Sequence, residues 1–124
     1  MILADTNTWI AYFADRPGPD VEALDEALRL GATAMIPPVL SELLSDPQMP
    51  ASVEESLTRI PLLETMDGYW WRVGKLRSSL IGHRSKAKLA DTMVAQYCLD
   101  HDSILASRDR DFKAFARYAG LSLL

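Results

Sequence analysis

Apolar and polar positions fall in blocks of changing period along the chain, and each change marks an element. Ile2, Leu3 and Ala4 form a short apolar run that stops at Asp5, the pattern of a buried strand. Trp9, Ile10 and Phe13 then recur at helical spacing, so 7–14 reads as a helix, ended by Pro17, Gly18 and Pro19. A second helix opens near Asp20 with Val21, Leu24 and Leu28 on one face, and Gly31 stops it. Residues 32–36 read as a strand, after which Pro37 and Pro38 suit the first turn of a helix rich in Val39, Leu40, Leu43 and Leu44. Apolar residues on most sides of that helix predict that it is largely buried. Ser52 and Glu55 match a capping box at the start of another helix. Residues 60–65 read as a strand, with Pro61 placing it at a sheet edge or a strand start. A longer helix over about 67–80 carries Trp70, Trp71, Val73 and Leu76, and a polar loop separates it from a helix over 91–100. Residues 103–107 make a strand, Phe112, Phe115, Ala116 and Ala119 a helical stripe ended by Gly120, and 121–124 a last strand.

Strands separated by helices predict an α/β fold, a parallel sheet with helices on both faces. Such sheets bind ligands beyond the carboxyl ends of their strands, where the strand order reverses. Asp5 follows the first strand, and Ser107 and Asp109 follow 103–106, so all three are expected at that edge.

Composition narrows the class without choosing the function. A chain of 124 residues with 48% hydrophobic content suits a single domain, 1–124, with a real core. No apolar run reaches the ~18 residues of a bilayer span, and Asp5 interrupts the pattern of a secretory signal. The lone Cys98 allows no internal disulfide and reads as a buried thiol on a helix, so a cytoplasmic protein is expected. A net charge of -4 argues against a surface that grips nucleic acid everywhere. The charge is unevenly placed, however. Between Asp67 and Asp91 there is no acid, yet six of the thirteen Lys and Arg lie there: Arg72, Lys75, Arg77, Arg84, Lys86 and Lys88. Such a segment is either a solvated face or a contact for a polyanion.

The candidate chemistry lies in the acids. A carboxylate at the end of a buried strand is costly unless it is paired, protonated or metal-bound. Asp5 can equally cap the following helix. Glu42 stands on a helix that is otherwise apolar, or on its one polar stripe with Ser41 and Ser45. Asp91 is a ligand or an N-cap, and one of Asp109 and Asp111 is expected to cap the last helix. Together, Asp5, Glu42, Asp91 and Asp109 come from four parts of the chain toward one end of the sheet. Carboxylates so gathered repel unless protons or cations neutralise them, and an all-oxygen site suits Mg²⁺ or Mn²⁺. Such a site serves phosphodiester hydrolysis. With only His83 and His101 available, a histidine-based zinc site is disfavoured. The chain has neither a Walker-type phosphate loop nor a nucleophile elbow.

The segments "ILADTNTWI", "PVLSELL" and "LADTMVAQYCLDHDSILASRDRDF" resemble the PIN-domain ribonucleases, in the family's order and over nearly the whole chain. The chain is most similar to their small bacterial members, the VapC-type toxins of toxin–antitoxin pairs. The resemblance implies a PIN-like three-layer αβα sandwich with a central parallel sheet of four to five strands. It implies that Asp5, Glu42, Asp91 and Asp109 hold Mg²⁺ or Mn²⁺ and position the attacking water, Asp5 and Asp91 most directly. Asn7 and Ser107 match polar positions beside the site, Ser107 standing where the family usually has Thr. Asp111 matches an extra acid of variable role, and Thr92 departs from the Ala that many members carry after the third acid. Partners implied by the resemblance are an RNA substrate, tRNA among those that fit, a small VapB-like antitoxin that inserts into an apolar groove, and a second copy in a homodimer. Trp9, Trp70 and Trp71 are candidates for such surfaces, and Arg84, Lys86 and Lys88, which lead into Asp91, for contacts to RNA phosphates. The other readings are a PIN-like domain that binds RNA or protein without cutting it, and a phosphotransfer domain. A phosphatase of that kind would want a second Asp where Asn7 stands.

Overall fold

The computed structural model describes all of residues 1–124. Three strands, β1 (Ile2–Ala4), β2 (Ile104–Ala106) and β3 (Ser122–Leu123), form a parallel sheet in the order β1-β2-β3. Leu3 lies opposite Leu105, and Leu105 opposite Leu123. Two extended segments continue the sheet beyond β1. The Ile2 N–H donates to the Ala32 carbonyl (3.1 Å), and Met35 bridges Leu62 in parallel. That bridge consists of Met35 N–H to Pro61 O (2.7 Å) and Leu63 N–H to Met35 O (2.9 Å). The strands expected at 32–36 and 60–65 are therefore flanks pinned at one point rather than full ladders. Pro61 has no N–H to give to a ladder, and Pro37 and Pro38 turn the other segment into a helix at once.

Seven helices pack about this sheet: α1 (Thr6–Phe13), α2 (Pro19–Arg29), α3 (Pro37–Leu44), α4 (Ala51–Leu57), α5 (Tyr69–Gly82), α6 (Leu89–Asp100) and α7 (Lys113–Ala119). A 3-10 turn, Arg110–Phe112, precedes α7, and Gly120 ends α7 in the left-handed conformation expected of a C-terminal stop. No helix is long and apolar enough to cross a membrane. The core is one cluster of 23 buried residues that includes Leu3, Trp9, Ile36, Val39, Leu80, Leu105 and Phe115. Cys98 is buried as expected, and burial, with Asp5 adding to it, pushes its thiol up to about 12.

Several local expectations are corrected. Pro50, not Ser52, precedes the first residue of α4, and the Ser52 carbonyl accepts from the Ser56 hydroxyl inside the helix, so there is no capping box. α3 is half-buried: Val39 and Leu43 face the core while Leu44 is exposed. α6 starts two residues before Asp91, which therefore lies in its first turn instead of capping it. Trp9 is fully buried, stacked on Phe13 and edge-on to Tyr12, and offers no partner surface. Trp70 and Trp71 are exposed, as a partner surface requires.

Candidate active site

β1 delivers Asp5 to the carboxyl edge of the sheet in an extended conformation, one residue before α1. Its Oδ1 accepts the Thr8 N–H (3.2 Å), so it is the N-cap of α1. Its Oδ2 accepts the Ser107 hydroxyl (2.6 Å) from the end of β2. The Asp109 N–H in turn donates to Ser107 Oγ (3.0 Å), and Asp109 Oδ1 accepts the Asp111 N–H (2.9 Å), capping the 3-10 turn. Asp109 thus caps the turn that leads into α7, while α7 itself, the last helix, has no side-chain cap from either acid. Asp91 sits where the amide dipoles of a helix start favour an acid. Glu42 is on the exposed side of α3, and Asn7 is exposed in the first turn of α1. Asp5, Asn7, Glu42, Asp91 and Asp109 all line one cleft of about 110 Å³, with Val94 and Phe112 as its apolar members. Four acids far apart in the chain share one small space.

The charges in this space disturb one another. Burial raises the Asp5 carboxyl above its ordinary value; hydrogen bonds from Ser107 and Thr8 oppose that, and the nearby Asp109 adds to it. Asp91 is pushed up to about 6, first by burial and then by Asp109, with Asp111 and Asp5 contributing and Lys88 opposing. Asp91, Asp109 and Asp111 can bring one carboxylate oxygen each within 4.8 Å of one another. Asp111 can thus bring an oxygen beside Asp91 and Asp109, although it is exposed and does not line the cleft. A set of oxygen donors under mutual repulsion is what a hard divalent cation relieves.

The basic segment divides in two. Arg72 forms a two-point pair with Asp100, Nε at 2.9 Å and Nη2 at 2.6 Å, which raises the guanidinium still further. Arg77 Nε donates to the Ala87 carbonyl (2.8 Å). These two cations hold α5 against α6 and the loop before it. Arg84, Lys86 and Lys88 are exposed, with Lys88 immediately before the first residue of α6 and felt by Asp91.

A network that the sequence analysis missed braces the site from behind. The Thr8 hydroxyl lies 2.9 Å from Asp20 Oδ2 and 3.3 Å from the Ala106 carbonyl. Arg108 grips the buried Asp20 through Nε (2.7 Å) and Nη2 (3.1 Å), and Nη2 also donates to the Pro17 carbonyl (2.8 Å). Burial tends to raise the Asp20 carboxyl, but the hydrogen bonds from Arg108 and Thr8 outweigh it and hold the group below its ordinary value. Arg108 stands between Ser107 and Asp109, so this pair ties the end of β2 to the start of α2. Its partners are 88 residues apart, and no local pattern announces them.

The profile of the PIN domain matches residues 2–118. The chain belongs to the PIN-domain family. This PIN domain is 28% identical over 133 residues to the VapC ribonuclease Mb1587 of Mycobacterium bovis, covering 98% of the chain and 96% of the relative. The same figures hold for Ribonuclease VapC11 of Mycobacterium tuberculosis. In fold, the PIN domain resembles a VapBC2 structure from Rickettsia felis bound to a promoter DNA fragment, with TM-score 0.78 and 20% identity over 100% of this chain and 98% of that one. It also resembles DNA-bound VapBC from Salmonella typhimurium, with TM-score 0.78 and 18% identity over 99% and 96% of the two chains.

Proposed function

We propose that the chain is a VapC-type endoribonuclease toxin, which hydrolyses RNA phosphodiester bonds with Mg²⁺ or Mn²⁺ held at its acidic cleft. The observation that carries this reading is the convergence of Asp5, Glu42, Asp91 and Asp109 on one small space. The similarity to relatives named as VapC ribonucleases supports it. The donor set fits the cation: Asp91, Asp109 and Asp111 offer neighbouring oxygens, and Asp5 and Glu42 line the same cleft. When bound, such an ion lowers the pKa of a water and offsets charge on the phosphate oxygens.

The chain's own residues supply rigidity and position. Ser107 and the Thr8 amide each fix one oxygen of Asp5, so its carboxylate cannot swing. The Asp111 amide fixes one oxygen of Asp109 and leaves the other free. Glu42, exposed on α3 and lining the same cleft, would help to orient the attacking water. Asn7 adds a neutral polar group to the lining of the cleft, where a further acid would repel a phosphate. The test is cleavage of structured RNA, tRNA first, by the purified protein: cutting with Mg²⁺ or Mn²⁺ and none in EDTA is expected, and cutting that survives EDTA overturns the proposal.

Arg84, Lys86 and Lys88 extend a cationic edge toward Asp91 and would hold RNA phosphates without reading sequence. Changing all three to Ala should flatten the plot of log affinity against log salt by about 2, at about 0.7 per contact for a single strand. An unchanged slope rules out this contact. The partner assignments follow the same reading. A VapB-like antitoxin has a seat in the groove of about 220 Å³ lined by Ile10, Phe13, Leu43, Met49 and Val53, and a homodimer and a cytoplasmic location belong to the proposal.

A further inference from the structure

Beside the acidic cleft lies a second hollow, of about 390 Å³, that the chemistry above does not use. Pro37, Pro38, Trp70, Ala90, Met93 and Tyr97 line it, together with Glu42, which also lines the cleft. The two spaces therefore meet at Glu42, and Ala90 and Met93 flank Asp91 on α6. The aromatic wall is fixed. Trp70 packs edge-on to Tyr69 (centroids 4.9 Å apart), and Tyr69 lies 4.3 Å from Tyr97. The Tyr69 hydroxyl donates to the Met93 carbonyl (2.7 Å), and the Tyr97 hydroxyl is 2.7 Å from Thr65 Oγ. Both tyrosine hydroxyls are thus satisfied, and Trp70 is left 64% exposed. An indole packed against one neighbour and otherwise open to solvent is suited to stacking.

We propose that this hollow is a nucleobase subsite, in which a base flanking the scissile phosphate stacks on Trp70. The inference rests on the ribonuclease reading and adds a binding determinant to it. Two features favour an RNA base over any other occupant. The hollow and the acidic cleft share Glu42 as a wall, so a nucleotide with its phosphate in the cleft would bring its base to the side where Trp70 stands. The cations Lys86 and Lys88 precede Ala90 and complement the charge of the adjoining backbone. Stacking on an aromatic side chain is tolerant of sequence, because every base has a π-face. Trp70 would thus hold single-stranded substrate without choosing among bases.

The test separates the base from the backbone. The probes are an eight-residue oligouridylate and an eight-residue abasic ribose-phosphate chain of equal charge, each titrated in EDTA so that no cutting occurs. The wild-type protein is expected to bind the base-bearing oligomer about tenfold more tightly. Trp70→Ala should bind both alike, at the abasic level, and Trp70→Phe should keep most of the preference. Since Trp70 is exposed, neither variant should lose its thermal transition. A wild-type protein without preference for bases overturns the subsite, and RNA cleavage measured alongside shows whether the ribonuclease reading survives it. Binding of neither oligomer overturns the subsite as well, and absent cleavage then removes the ribonuclease reading too. If Trp70→Ala instead turns a dimer into a monomer in size-exclusion chromatography and leaves base preference intact, a second copy occupies the hollow and the proposal fails.

Discussion

Asp5→Asn is expected to lower RNA cleavage by at least about 100-fold, since even a residue that only supports a metal ligand is worth about 10–100-fold, and to leave thermal unfolding close to that of the wild type. The substitution separates the two roles that Asp5 holds at once. As an N-cap, Asn serves as well as Asp, and its carbonyl oxygen can still accept the Thr8 amide. As a ligand, the amide offers no negative charge to a cation. If Asp5 were only a cap, the variant would cut RNA normally. The stability side has a definite sign. Burial raises the Asp5 carboxyl above its ordinary value, so the ionised group weakens the metal-free fold as pH rises through that shifted value. The neutral amide removes that penalty, and metal-free Asp5→Asn should be no less stable than wild type at pH 7. Calorimetric titration with Mn²⁺ gives the second readout, with weakened binding expected. Near-normal cleavage by this variant would refute the role assigned to Asp5.

The second large effect lies behind the cleft. Arg108→Ala is expected to cost about 2–3 kcal/mol at pH 7, because it strands the buried Asp20 carboxylate without its partner. The figure is set below the full cost of breaking a buried pair because the Arg108 side chain is 35% exposed and its charge partly screened. The loss should depend on pH. The folded protein holds Asp20 below its ordinary 3.8. The pair therefore stabilises the fold above pH 3.8, and this contribution fades as pH falls through the lowered value. Urea unfolding of both proteins at pH 7 and near pH 3 measures this: the gap is expected to narrow in acid. A gap of equal size at both pH values would place the loss in packing around Arg108 rather than in the charge of Asp20. Cleavage should fall as well, since Arg108 holds the strand end that carries Ser107 and Asp109.

The acids were legible because each breaks a pattern. Asp5 ends an apolar run, Glu42 interrupts an apolar helix, and Asp91 and Asp109 stand at element boundaries where the periodicity changes. Their convergence follows from the alternation of strands and helices, which puts every strand end on one edge. Pairings between distant side chains left no such trace. Arg72 looked like one of six equivalent cations until α6 brought Asp100 to it across 28 residues. The hold of Arg108 on Asp20 was hidden in the same way. At 60–65 the apolar composition was right for a strand, but one proline and a single bridge decided the outcome. The Ser52–Glu55 spacing was right for a cap and lost to Pro50, whose extended backbone starts the helix earlier. Local patterns name the elements, while the contacts between elements decide which charges remain free.

Gly18 joins these threads at the turn between α1 and α2. A Cβ placed there would lie 2.6 Å from both Arg108 Nη2 and Asp20 Oδ1. The turn is a socket for a guanidinium, and its shape depends on a carbon that is missing. One methyl group at position 18 would displace the Arg108 guanidinium or the Asp20 carboxylate that it meets, and so loosen the pair that ties the end of β2 to the start of α2. A surface turn with no chemistry of its own thereby shapes the seat of the ion pair that lies behind the acids.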